Sequence, residues 1–122
     1  MTKVYTNAEF DMYVARKMMS KMGNAKERGI EFALSFQSMK NLLKSKKCYY
    51  TGLELTKPDG KKTRASDLTI DRIDASKGYV PGNVVACSYA ANHLKSQFEK
   101  GGVKGLKAGR SVFDKTLKRM GK

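Results

Sequence analysis

Apolar side chains first recur at helical spacing near the start of the chain. Thr6 and Glu9 have the spacing of a capping box, in which each side chain bonds the other residue's backbone N–H at the start of a helix. We therefore predict a helix over residues 7–22, with Gly23 as its stop. Its apolar stripe consists of Phe10, Tyr13, Val14, Met18 and Met22.

The next stretch changes from alternation to helical spacing. Residues 30–34 alternate and predict a short strand. Ser35 is a suitable cap for a second helix. Residues 48–52 then predict a tight turn, and residues 56–66, which contain Pro-Asp-Gly, predict a polar loop. The apolar face of the second helix consists of Phe36, Met39, Leu42 and Leu43.

The middle of the chain has a strand, loop, strand and helix pattern. Residues 68–73 alternate as a strand, residues 74–82 predict a loop, and residues 84–87 predict a second strand. Ser88 can cap a helix over residues 89–99. Four residues of that helix are predicted to face inward: Ala90, Ala91, Leu94 and Phe98.

The tail carries a weaker pattern. Residues 101–107 are rich in Gly and Lys, which predicts a flexible segment, and a last short helix opens at Ser111. Its apolar stripe is Phe113, Leu117 and Met120. Together these elements predict an α+β fold in one small domain, residues 1–122, with helices around a short antiparallel hairpin.

Charge is the first indication of a partner. The chain has 25 Lys and Arg against 11 Asp and Glu, for a net charge of +14. Five of the acidic residues fall between residues 51 and 94, whereas the basic excess lies on either side. A basic surface around a small acidic pocket suits a protein that binds nucleic acid and holds a cation there. A ribosome-associated RNA-binding protein would show the same charge excess.

Cysteine content and hydropathy indicate the cellular compartment in which the protein is expected. The two cysteines, Cys48 and Cys87, are too few for a disulfide framework, and we expect both to be buried free thiols. No apolar run reaches bilayer length, and the first residues have no signal-peptide pattern. We therefore expect a cytoplasmic protein without a membrane partner.

Residues 69–96 contain a recognisable motif. The segment runs Thr-Ile-Asp-Arg-Ile-Asp-Ala-Ser-Lys-Gly-Tyr-Val-Pro-Gly-Asn-Val-Val-Ala-Cys-Ser-Tyr-Ala-Ala-Asn-His-Leu-Lys-Ser. It resembles the ββα-metal motif of HNH endonucleases. Residue by residue, Asp71 stands at the first metal-ligand position, Asn83 at the loop asparagine and Asn92 at the ligand on the helix. The resemblance implies that Asn83 pins the loop and orients the general base.

Upstream segments extend this resemblance to residues 24–98. Arg-Gly-Ile-Glu-Phe at 28–32 and Cys-Tyr-Tyr-Thr-Gly at 48–52 are similar to an HNH subgroup of phage and mobile-element proteins. The resemblance implies a ββα-metal core over 67–99 with basic helical extensions, 1–47 and 100–122. It further implies a DNA endonuclease of a bacterial or phage-infected cell. Such an enzyme would nick one DNA strand if a single ββα-metal site acts alone.

The implied metal is Mg²⁺ or Mn²⁺, because Asp71 and Asn92 would supply oxygen ligands. No structural zinc is expected. Cys48 is followed by Tyr-Tyr-Thr where a Cys-x-x-Cys pair would begin, and the start of the last core helix has Ser88 and Ala91.

One departure concerns the general base. Arg72 stands where HNH relatives carry a histidine, and a guanidinium does not accept a proton at ordinary pH. Arg72 could instead hold a phosphate or stabilise transition-state charge. Asp74, His93 and a metal-bound hydroxide remain as bases. The resulting catalytic set is Asp71, Arg72, Asp74, Asn83 and His93. The main alternative is a catalytically inactive relative that only binds DNA.

Basic side chains in the loops and terminal helices are expected to contact the DNA backbone. We predict eight such residues: Lys61, Lys62, Arg64, Lys77, Lys95, Arg110, Lys118 and Arg119. DNA is thus the expected partner, and the chain is expected to act as a monomer or homodimer.

Overall fold

The computed structural model describes residues 4–122 and confirms the α+β class. Within that range it has four helices and one two-stranded antiparallel sheet. In chain order the elements are α1 (Asn7–Glu27), α2 (Phe36–Leu43), β1 (Leu68–Arg72), β2 (Val84–Ser88), α3 (Tyr89–Glu99) and α4 (Gly102–Arg119). The fold divides into two compact units, one ending at Tyr89 and one from Ala90 to Lys122.

Helix α1 begins as predicted and ends later than predicted. The Thr6 Oγ1 accepts the Glu9 N–H at 3.1 Å, and the Thr6 N–H donates to the Glu9 carboxylate at 2.9 Å. The helix passes through Gly23 and continues to Glu27. Its last turn is held by Ala25, which is buried in the core. The left-handed glycine that follows the helix is Gly29, with a φ of 66°.

The predicted strand over residues 30–34 was wrong. Its segment makes one isolated parallel bridge, between Phe32 and Tyr79, because its partner is a loop and not a strand. The Tyr79 N–H donates to the Glu31 carbonyl at 2.8 Å, and the Ala33 N–H donates to the Tyr79 carbonyl at 2.9 Å. The bridge fixes the connection between α1 and α2 against the loop that precedes β2.

Helix α2 begins at its predicted cap. The Ser35 Oγ accepts the Ser38 N–H at 3.0 Å. Met39 and Leu43 are buried, whereas Phe36, predicted on the same face, is 41% exposed. The helix therefore contributes a narrower apolar face to the core than its spacing suggested.

The β1–β2 hairpin confirms the predicted pair of strands. Its register runs from Leu68 opposite Ser88 to Arg72 opposite Val84. Alternation along β1 buries Leu68 and Ile70 and leaves Asp71 partly exposed. The core lies where this hairpin packs with α1 and α2, and its largest fully buried side chains are Met39, Leu43, Val14 and Cys87.

The second unit differs most from prediction. Residues 101–107, predicted to be flexible, belong largely to α4, which begins at Gly102 and not at Ser111. Gly109 explains part of the difference, because its missing side chain leaves room for the Phe98 ring. The Phe98 and Phe113 rings also meet edge to face, with centroids 6.3 Å apart.

Several apolar residues of the second unit lie at the surface. No residue of α3 is buried, and Ala90 and Leu94, predicted to face inward, are exposed. The stripe predicted for the last helix is exposed as well: Phe113, Leu117 and Met120. No helix among residues 4–122 has the length and apolar character needed to cross a membrane.

Candidate functional site

Asp71 lies near the end of β1, opposite Val85 of β2. The hydroxyl of Tyr50 donates a 2.7 Å hydrogen bond to the Asp71 Oδ2. Tyr50 comes from the turn over residues 48–52, which the structure confirms: the Gly52 N–H donates to the Cys48 carbonyl at 2.9 Å. This bond holds the carboxylate in one orientation at the edge of the hairpin.

Asn83 joins the two ends of the loop between β1 and β2. Its Oδ1 accepts the Asp74 N–H at 3.0 Å, and its Nδ2 donates to the carbonyls of Asp74 and Gly78 at 3.1 and 2.9 Å. The side chain is 7% exposed. The sequence resemblance gave this asparagine the role of pinning the loop, and the bonds observed are those that such a role requires.

The Arg72 side chain forms hydrogen bonds with the backbone of the same loop. Its Nη1 donates to the carbonyls of Ala75 and Lys77 at 2.8 and 2.9 Å. The guanidinium also lies over the Tyr79 ring, 5.3 Å from its centroid. Arg72 therefore holds together the backbone of the loop between β1 and β2.

Asp74 has a local role as well. Its Oδ1 accepts the Ser76 N–H at 2.9 Å and the Ser76 hydroxyl at 2.6 Å. This is the hydrogen bonding of an Asx turn, in which a carboxylate stabilises the backbone two residues ahead. Both candidate groups beside Asp71, the Arg72 guanidinium and the Asp74 carboxylate, thus support the loop conformation.

Lys21 of α1 is a residue that sequence reasoning missed. Burial lowers the pKa of its ammonium, and nearby Arg28 lowers it further, whereas Asp71 and Cys87 act in the opposite direction. Lys21 is therefore within electrostatic reach of the Asp71 carboxylate. Its position on α1, outside the apolar stripe, gives no sign of this, because only the packing of the folded chain brings Lys21 near Asp71.

Asn92, His93 and Lys95 belong to the second unit, whereas Asp71 belongs to the first. Asn92 is half-buried on α3. The His93 ring is exposed and lies 3.3 Å from the Gln97 amide, one turn on. Lys95 forms a 2.7 Å ion pair with Glu99. His93 and Lys95 thus contact Gln97 and Glu99 of the same helix.

The predicted DNA-contacting residues fall into two groups. Arg64 is held internally, because it pairs with the buried Asp67 at 2.9 Å and donates to the Lys57 carbonyl at 2.9 Å. Arg64 therefore also fixes the loop before β1. Lys95 is partly buried beside Glu99, and the exposed residues form the other group: Lys61, Lys62, Lys77, Arg110, Lys118 and Arg119.

Among residues 4–122 no three His, Cys, Asp or Glu side chains are grouped so that they could hold a metal ion. The two cysteines are free and buried, as predicted.

Cys48 has an unusual environment for a buried thiol. Burial raises the pKa of the thiol, but the Thr51 hydroxyl and the backbone N–H groups of Ser88, Thr51 and Tyr50 outweigh this effect. The result is a pKa lowered to about 7. The Ser88 N–H lies 3.3 Å from the sulfur. The thiol therefore ties the turn over residues 48–52 to the end of β2.

Comparison with known proteins shows a similarity between this chain and a phage protein. No protein-family model matches it, and no solved structure matches it. The chain is 31% identical over 111 residues to a protein of Enterobacteria phage T4, described as an uncharacterized 29.0 kDa protein in the dda–modA intergenic region. The alignment covers 86% of this chain and 43% of the phage protein, so the chain spans less than half of that relative.

Proposed function

We propose that this chain is a metal-dependent DNA endonuclease of the HNH type, which hydrolyses phosphodiester bonds and nicks one strand at a time. The observation that carries the proposal is the Asp71 carboxylate, oriented by Tyr50 beside a loop that Asn83 pins. A carboxylate held in this way in a chain of net charge +14 suits a cation between protein and a phosphate backbone.

Asp71 and Asn92 would hold the metal in this proposal. Their carboxylate and amide oxygens suit Mg²⁺ or Mn²⁺, which prefer oxygen ligands. A bound cation of this kind stabilises negative charge on a scissile phosphate. Tyr50 would orient Asp71 towards it, and Lys21 would add positive charge beside the same carboxylate.

Arg72 and Asp74 have supporting roles in this proposal. Both side chains form hydrogen bonds within the loop between β1 and β2. Their proposed contribution is therefore to stabilise the conformation of the hairpin end that carries Asp71. His93 is the exposed imidazole that remains as a proton acceptor, and its ring faces Gln97 within α3. His93 is therefore the residue of this chain that would accept a proton in this proposal.

A second candidate function is DNA binding without cleavage. The observation that favours it is the Arg72 side chain, which occupies the general-base position and donates to the Ala75 and Lys77 carbonyls. Such a protein would bind DNA through its basic surface, with affinity that falls steeply as salt increases.

Incubation with supercoiled plasmid in Mg²⁺, in Mn²⁺ and in EDTA separates the two functions. A nuclease converts plasmid to relaxed circles in the metal buffers and leaves it intact in EDTA. A plasmid that stays supercoiled in both metals, while the protein still retards it in a gel, supports the binding-only function. The plasmid should carry phage DNA, so that a specific site is not missing.

A further inference from the structure

A cleft on the first unit shares none of its lining residues with the Asp71 site. It encloses about 410 Å³ between α1 and the tip of the loop that precedes β1. Its lining residues are Tyr5, Tyr13, Arg16, Lys17, Ser20, Pro58, Asp59 and Gly60.

One wall of the cleft is basic and carries a hydroxyl. Arg16 and Ser20 are one helical turn apart on α1, and Lys17 lies beside them. Burial lowers the pKa of Lys17, and Lys21 lowers it further. Over residues 4–122 neither Arg16 nor Lys17 forms an ion pair with a carboxylate. A guanidinium, an ammonium and a hydroxyl together are the donors that bind a phosphate group.

Tyr13 also lines the cleft, and its hydroxyl is unsatisfied. The residue is 6% exposed, and among residues 4–122 its oxygen is the one buried side-chain polar atom without a hydrogen-bond partner. Buried hydroxyls in folded proteins nearly always have a partner. Tyr13 therefore contributes to the wall of the cleft, whereas its hydroxyl oxygen is enclosed by protein atoms.

The opposite wall determines what kind of phosphate fits. Asp59 stands there, and its Oδ1 accepts the Lys61 N–H at 3.0 Å. A carboxylate repels a small free anion, but it accepts hydrogen bonds from amino groups of bases that accompany a phosphate in a polynucleotide. Tyr5 stacks on Tyr13 with ring centroids 5.2 Å apart, which adds an aromatic surface between the two walls.

From these contacts we propose that the cleft binds one backbone phosphate of a DNA strand, with Arg16, Lys17 and Ser20 as donors and Asp59 facing the adjoining nucleotide. The choice of DNA as the polymer rests on the function proposed above. The cleft is a separate contact region, which anchors the strand at α1 while the Asp71 end of the hairpin meets another part of it.

Binding of a fluorescein-labelled DNA duplex to the full chain in EDTA tests this proposal, because no cleavage is needed for the readout. The double variant R16Q/K17Q removes two charges from the cleft. The double variant K26Q/K44Q removes two exposed charges outside it and is the matched control. The cleft variant should bind DNA about tenfold more weakly than the natural chain. Its slope of log affinity against log salt concentration should be smaller in magnitude by about 2.

Equal weakening in both double variants would show that net charge alone matters and would overturn the proposal. Thermal unfolding of both variants confirms that they are folded, and Ser20→Ala, which keeps every charge, should weaken binding by about threefold. Since binding is measured without metal, a protein that lacks nuclease activity can still pass this test, and an active nuclease can fail it.

Amide resonances of Ser20 and Gly60 distinguish a DNA strand from free phosphate. A short oligonucleotide should shift them at a concentration about tenfold below that required of inorganic phosphate at equal ionic strength. Equal responses to the two probes would identify the cleft as a site for free phosphate and would overturn its assignment to a DNA strand. The absence of a shift with bound oligonucleotide would do so as well.

Discussion

The Tyr50 hydroxyl and the Asp71 carboxylate are joined by a 2.7 Å hydrogen bond, although the two residues are 21 positions apart in the chain. The bond links the turn over residues 48–52 to the end of β1 and gives the carboxylate a fixed orientation. A carboxylate oriented in this way is better prepared to bind a cation than one that rotates freely. The relationship therefore connects a structural turn with the proposed chemistry.

Replacement of Tyr50 by Phe tests that connection. The variant keeps the ring and removes the hydroxyl, so Asp71 loses an orienting donor. We expect the Mg²⁺ concentration for half-maximal plasmid nicking to rise by about tenfold or more. Tyr49→Phe is the matched control, because Tyr49 is the adjacent tyrosine, 61% exposed, and its ring meets that of Tyr50 edge to face. An equal effect of both variants would contradict an orienting role.

Asn83→Ala should destabilise the fold. The substitution removes the amide that accepts from Asp74 and donates to the Asp74 and Gly78 carbonyls, and it leaves those backbone groups without that partner. We expect the free energy of unfolding to fall by about 2–4 kcal/mol, measured by urea denaturation. Asn41→Ala, which removes one exposed contact with Gln37, is expected to cost less than about 0.5 kcal/mol. Similar losses for the two variants would show that Asn83 does not pin the loop.

The lowered pKa of the Cys48 thiol predicts that the free energy of unfolding depends on pH. Its pKa is lowered to about 7 from an ordinary value of 9.0, so the folded state binds the thiol proton more weakly than the unfolded state. The resulting stabilisation is present above pH 9 and is lost as the pH falls through 7. The difference in unfolding free energy between the natural chain and Cys48→Ala should therefore grow by on the order of 2 kcal/mol from pH 7 to 9. Cys87→Ala controls for loss of a buried thiol, and parallel curves for the natural chain and Cys48→Ala would contradict the prediction.

Tyr13→Phe should stabilise the free protein. The hydroxyl is buried without a partner among the described residues, and removal of an unsatisfied buried hydroxyl relieves its desolvation cost. We expect a gain of about 1 kcal/mol in the free energy of unfolding, measured by urea denaturation. A loss of the same size would show that the hydroxyl has a stabilising contact in solution, such as an ordered water.

The sequence predicted the secondary structure correctly where interactions between residues close in the chain determine it. The capping residues Thr6 and Ser35 start their helices as predicted, and the alternation along residues 68–73 and 84–87 predicted the hairpin. The loop-pinning role of Asn83 was implied by the HNH resemblance, and its bonds to Asp74 and Gly78 fit that role. In each case the relevant bonds lie within a short stretch of chain.

Predictions failed where packing overrides local preference. Gly23 does not end α1, because the next turn carries the buried Ala25. The glycines near residue 105 do not make the tail flexible, because Gly109 gives Phe98 room to pack. Similarly, the proximity of Tyr50 and Lys21 to Asp71 depends on how α1 and the turn pack against the hairpin, and no spacing in the sequence encodes it.

The central claim is that Asp71 serves cleavage and not the binding of DNA. The most direct measurement compares Asp71→Ala with Asp114→Ala, which makes the same charge change at an exposed position on α4, in parallel assays of plasmid nicking in Mg²⁺ and of duplex binding in EDTA. The account predicts that Asp71→Ala alone loses at least about a hundredfold in nicking rate while both variants bind DNA as the natural chain does. Nicking by Asp71→Ala at the natural rate would contradict it.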